Sequence, residues 1–167
     1  MTQLRNWHYD LQVAIRKMLK DDNTDPDSQN GFYCVHTFIE DKIIRSRMGL
    51  SEAQLIGMGI TKPYATIAVM RGPKELKLPS TSAIAKIDLY ASKDEAIAGK
   101  EVGVALQLLA ARIDTLLDDK PEDISSKKSD LIVAAFKGTF SSEPYYSDEL
   151  KSYHMVLSYD VQVHTSD

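Results

Sequence analysis

An α+β fold is predicted: a mainly antiparallel sheet covered on one face by a long helix and an N-terminal helix. Three observations carry it. Val102, Ala105, Leu106, Leu109, Ile113, Leu116 and Leu117 recur at helical steps and form one apolar stripe. Tyr153, Met155, Leu157, Tyr159, Val161 and Val163 alternate with mostly polar residues, the period of a strand with one buried face. The order of such segments, helix, strands, helix, strands, suits helices packed on one side of an antiparallel sheet.

The chain opens on a helical stripe of Leu4, Trp7, Leu11, Ala14, Ile15 and Met18, so a helix is expected to about Leu19. The stretch DDNTDPDSQNG at 21–31 is dense in turn formers and acids and reads as a loop. It lacks the glycine and glutamate spacing of a calcium loop. FYCVHTFI at 32–39 is aromatic and β-branched, hence a strand. EDKIIRSRMGL follows without a clean period; residues 40–62 are read as an arm or insertion on a single domain spanning 1–167. A short helix is expected to start at Ser51. Strands are expected at 64–70 and 83–91, the second with Ala85, Ile87 and Leu89 on the dry face and Lys86, Asp88 and Tyr90 on the wet one.

The long helix is expected over 93–118. Ser92 and Glu95 have the spacing of a capping box, and Pro121 follows the far end. At ~1.5 Å per residue it would span roughly 35–40 Å. A polar connection at 122–130, a strand at 131–140, a turn-rich loop at 141–150 and the alternating last strand complete the chain.

Of the 167 residues, 43% are apolar and 26% charged, enough for one real core and too balanced for wholesale disorder. A net charge of −4 argues against nucleic-acid binding as the main task. The single cysteine, Cys34, excludes an internal disulfide and a cysteine-rich zinc cluster. No run is long enough for a membrane helix and the start has no signal-peptide core, so an intracellular, soluble product is expected.

No catalytic, cofactor-binding or metal-ligating set emerges. His8, His36, His154 and His164 read as ordinary surface or boundary histidines. His154 and His164 sit ten residues apart, roughly 33 Å along a strand, too far to share a metal within one chain. The acid pairs Asp21–Asp22, Glu40–Asp41 and Asp118–Asp119 fall at element ends and read as solvated termini. Glycine-rich phosphate loops and the GxSxG elbow are absent. The basic residues Lys42, Arg45 and Arg47, and Lys62, Arg71, Lys74 and Lys77, have no interleaved aromatics to stack bases. Ile43, Ile44, Met48 and Leu50 beside Arg45 and Arg47 suit a protein interface, where Met and Arg are enriched; a strand edge packed within the monomer is the alternative. Tyr145 and Tyr146 are either interface anchors or part of a loop pinned on its own sheet.

Element order also carries a resemblance. Pro63 and Tyr64 followed by ATIAV, then Asp88-Leu89-Tyr90-Ala91-Ser92, the Ala/Leu-rich helix, a strand, an aromatic loop and a last strand ending SYDVQVHT come in sequence. Over residues 64–164 this resembles the tail terminator, or tail completion, proteins of long-tailed bacteriophages; the segment 21–61 is longer than the family pattern. The resemblance implies a structural virion protein of the tail and neck, assembled in the host cytoplasm, with no cofactor. It implies a homo-hexameric ring that caps the head-proximal end of the tail tube. Its partners would be itself, the tail tube protein, a neck or connector protein and, in a contractile tail, the sheath. DNA would pass through without specific binding, and no membrane is involved. Another neck or tail-tube component, or a small α+β enzyme or ligand-binding domain, are the competing readings.

Overall fold

The computed structural model describes residues 7–22, 43–44, 53–54, 64–71, 80–92, 101–148 and 152–164. Its centre is the antiparallel pair β3 (Ser80–Ser92) and β6 (Ser152–His164), matched without a break from Ser80 against His164 to Ser92 against Ser152. β2 (Tyr64–Arg71) lies antiparallel to β3, and the two-residue β1 (Ile43–Ile44) lies parallel to β2. On the other flank, β4 (Val133–Ser141) and β5 (Tyr145–Ser147) both run antiparallel to β6. The six strands form one sheet in the order β1-β2-β3-β6-β4, with β5 also on β6. The sheet is mainly antiparallel and the fold is α+β, in agreement with the sequence.

Period-two alternation explains which face is dry. Ala83, Ala85, Ile87, Leu89 and Ala91 of β3 and Met155, Leu157, Tyr159, Val161 and Val163 of β6 all point into the core. Helix α1 (Trp7–Lys20) and helix α2 (Val102–Leu117) cover them. α1 contributes Leu11, Ala14, Ile15 and Leu19, all fully buried; α2 contributes Leu106, Leu109, Ile113 and Leu117. Each such aliphatic side chain gains about 1.5–3 kcal/mol from leaving water, which makes this one-sided contact the main source of stability.

Three expectations need correction. The long helix begins at Val102, because Glu101 has φ −53° and ψ 142°, outside the helical region. It spans ~24 Å at ~1.5 Å per residue, shorter than expected. Ser92 is a strand residue paired with Ser152; the remainder of the expected capping box lies outside the described residues. Next, the polar connection contains helix α3 (Pro121–Ser126). Pro121 does not merely end α2: it occupies the first turn of α3, where its missing N–H costs nothing, and Glu122 and Asp123 sit at the positive end of the dipole. Ile124 is buried, and the Ser125 hydroxyl accepts the Val133 N–H at 2.8 Å, tying α3 to the start of β4. Third, Asp22 is not a solvated terminus. It is 4% exposed and takes two hydrogen bonds from Arg112 of α2, at 2.9 Å to Nε and 2.5 Å to Nη2. The expected strand at 32–39, with Cys34 and His36, lies outside the described residues.

Candidate functional site

The sheet face opposite the helices is not uniformly wet. Register places Tyr64, Tyr90, His154 and Tyr145 in one row across β2, β3, β6 and β5. The rings stack in turn: Tyr64 on Tyr90 with centroids 4.8 Å apart, and Tyr90 on His154 at 4.5 Å and 8° between planes. Tyr145 leans on His154 at 5.1 Å. One position along, Asp88 meets His154 Nε2 at 2.7 Å, while His154 Nδ1 meets the Tyr145 hydroxyl at 2.6 Å. Asp88 is 6% exposed and His154 9%. His154 is therefore no ordinary surface histidine, and Asp88 and Tyr90 do not lie on a wet face.

Asp88, His154 and Tyr145 form one chain of hydrogen bonds. With Nε2–H donating to the Asp88 carboxylate, Nδ1 is left to accept the Tyr145 O–H. Both ring nitrogens are then engaged within the protein. Ser152, two positions before His154 on the same face, buries its Oγ without a hydrogen-bond partner and makes no bond to the imidazole. The chain of hydrogen bonds ties β3, β6 and β5 side by side.

The same contact fixes the place of the tyrosine loop. Tyr145 and Tyr146 belong to β5, paired with His154 and Tyr153. The Ser142 N–H donates to the Val156 carbonyl at 2.9 Å, and the Val156 N–H donates to Ser142 Oγ at 2.9 Å, so β4 and β5 form one nearly continuous edge along β6. The segment is pinned on its own sheet, yet Tyr145 is 46% and Tyr146 38% exposed. Phe140, on the same edge, is 60% exposed.

A bare sheet edge is a template for wrong pairing. Half of this one is covered. After α2, Asp119 turns the chain with φ 56°, a left-handed conformation that aspartate tolerates. Its N–H then reaches the Phe136 carbonyl at 2.8 Å, and Asp118 Oδ1 accepts the Gly138 N–H at 2.8 Å. Both Asp114 and Asp118 carboxylates approach the strand at Gly138, where a Cβ would sit in ordinary contact with them at 3.4 and 3.5 Å. The acid pair Asp118–Asp119 ends the helix, as read from the sequence, with Asp119 exposed, and it also covers part of the edge through the Asp118 carboxylate and the Asp119 N–H.

Beyond the cover, α2 and the edge part to leave a groove of about 510 Å³. Met155, Leu157 and Tyr159 contribute its apolar wall, Ala110 and Ala111 make room on the helix, and Asp114 and Asp118 bring charge. The Tyr159 hydroxyl donates to Asp114 Oδ1 at 3.1 Å; burial, and then that neighbouring carboxylate, push its phenol well above the ordinary range. The only sequence signals for this groove were the small residues Ala110, Ala111 and Gly138 and the helical spacing of Asp114 and Asp118.

Of the residues singled out as an interface, Ile43 and Ile44 form β1, paired with Ala65 and Thr66; Arg45, Arg47, Met48 and Leu50 lie outside the described residues. β1 and the β4–β5 edge sit at opposite ends of the strand order. Among the other candidates, His8 stacks on Trp7 at 3.8 Å, and burial and Arg71 lower its pKa. Arg71 itself lies over the Trp7 ring, 5.6 Å from its centroid. His164 ends β6 on the surface, and Glu40–Asp41 lie outside the described residues. Among the described residues there is no cluster of metal-ligating side chains, and no helix is long and apolar enough to cross a membrane.

No protein-family model matches the chain, and no curated protein matches it. Among solved structures, a chain described as "Virion of native gene transfer agent (GTA) particle" has a similar fold, with a TM-score of 0.55 at 11% identity. The similarity covers 92% of this chain and 93% of that one. At that identity it is the fold that is shared.

Proposed function

We propose that this chain is a structural component of a phage-type virion, and more specifically a tail terminator. In this reading it forms a homo-hexameric ring that caps the head-proximal end of the tail tube, ends tube polymerisation and presents a docking surface to the neck. The observation that supports the reading most is the end-to-end fold similarity to a virion chain. Two features of the molecule are compatible with it. The conspicuous polar cluster, Asp88–His154–Tyr145, works as a clamp, and the β4–β5 edge offers Phe140 and Tyr146 to a neighbour. The role requires no chemistry, no cofactor and no membrane, and DNA would pass without specific contacts. The partners would be the tail tube protein, a neck or connector protein and, in a contractile tail, the sheath, with assembly in the host cytoplasm.

Light scattering on the purified chain, followed by electron microscopy of its mixture with tube protein, tests this. A ring-sized particle seated at one tube end is the expected result. Incorporation along the tube would make the chain a tube-type subunit instead. A monomer at every concentration that leaves tube length unchanged would sink the proposal.

A further inference from the structure

We infer that the groove between α2 and the β4–β5 edge receives a second copy of this chain, which inserts its basic–apolar segment 42–50. The inference rests on the ring reading and names its contact. It follows from the shape of the groove, the charge around it and the position of the segment.

The groove has an apolar wall in Met155 and Leu157, both nearly buried, and exposed apolar area beside it at Phe140 and Tyr146. Its surroundings are acidic. Asp114 and Asp118 line it, and Glu143 and Asp148 flank β5, against Lys137 on the same edge. An occupant matched to it would carry aliphatic side chains for the wall and cations for the rim. The segment KIIRSRMGL at 42–50 has this composition: Ile43, Ile44, Met48 and Leu50 with Lys42, Arg45 and Arg47, and no acid within it. A desolvated Arg–carboxylate pair at the centre of such a contact gives both orientation and affinity.

The occupant comes from another copy because of strand order. The segment starts on β1, and four strand steps at ~4.8 Å each, roughly 19 Å, separate β1 from β4. Between molecules, segment and groove form a head-to-tail contact, with a different surface on each side, and contacts of that class close into rings when the rotation between neighbours closes.

Cysteine pairing tests the contact in the full-length chain. In a Cys34→Ser background, Ala111→Cys marks the exposed groove side of α2 and Arg47→Cys marks the segment. Mild oxidation of the two variants mixed should give a disulfide dimer that neither gives alone, and a chain carrying both should give a ladder of covalent oligomers. A faster-migrating monomer from the double variant would mean that the segment sits in its own groove, which overturns the inference. Charge reversal is the second arm. Arg45→Glu with Arg47→Glu should lower the light-scattering mass to that of a monomer, and adding Gln107→Lys with Ala111→Lys should restore the oligomer. An oligomer that shows neither the cross-link nor the mass change would remove this contact and leave the ring standing. A wild-type chain that is monomeric at every concentration removes both.

Discussion

Two adjacent aspartates give the sharpest test of the physical account. Asp21 and Asp22 are indistinguishable in local sequence, yet Asp21 pairs with Lys127 at 3.0 Å with its side chain 58% exposed. Asp22 pairs with Arg112, with side chains only 1% and 13% exposed. For Asp21 the attraction is screened by water and offset by side-chain entropy, so Asp21→Asn should cost no more than ~0.5 kcal/mol. Asp22→Asn keeps the shape and removes the anion from a buried, two-bond contact. Loss of one partner of such a pair typically costs ~3–5 kcal/mol, and because Arg112 retains some solvent the low end, about 3 kcal/mol, applies. For a chain of this size that lowers Tm by roughly 6–12 °C, at ~2–4 °C per kcal/mol. Urea and thermal unfolding followed by circular dichroism give both values. Replacing both charges, Asp22→Leu with Arg112→Met, should recover most of the loss, since neither buried charge remains. Equal, small effects for the two asparagine variants would refute the reasoning, as would a double variant no more stable than Asp22→Asn.

The other predictions concern β5 and the groove. Tyr145→Phe leaves His154 Nδ1 without its donor and should lower stability by about 1 kcal/mol, read from the urea midpoint. His154→Phe, which leaves Asp88 buried with Lys86 as its remaining charge neighbour at 3.5 Å, should cost more; the reverse order would show that the clamp carries no weight. Tyr159, whose ordinary pKa of 10.0 is raised in the fold, binds its proton more tightly folded than unfolded. Its contribution is fully present below about pH 10 and is lost as pH rises beyond that, by up to ~1.4 kcal/mol per pH unit. Tyr159→Phe should therefore flatten the alkaline limb of the stability profile, measured by urea unfolding between neutral and strongly alkaline pH. An unchanged limb would show that the Tyr159–Asp114 contact does not form.

Patterns generated by a single element were legible in the chain. Six apolar residues at period two fixed the dry face of β6, and the helical stripes placed the buried residues of α1 and α2. These signals are local because burial on one face imposes its own period on whatever segment carries it. The start of α2 was not legible: Glu101 has extended backbone and the helix begins at Val102, with no side-chain cap to mark it.

Side-chain meetings between distant segments had no period to betray them. Asp88 and His154 are 66 residues apart, and Asp22 and Arg112 are 90 apart. In the sequence each is a polar residue at an unremarkable place, and only folding removes the water that would otherwise keep them indifferent to each other. The groove is a tertiary product in the same sense, created where α2, the Asp118–Asp119 turn and the edge strand diverge. The amino-acid order by itself determined the layers and their inward faces, since apolar periodicity suffices for that. The burial of Asp88 and its contact to His154 were decided by the register of β3 on β6, and the burial of Asp22 by how the end of α1 meets α2, because such packing sets which distant side chains share a desolvated space.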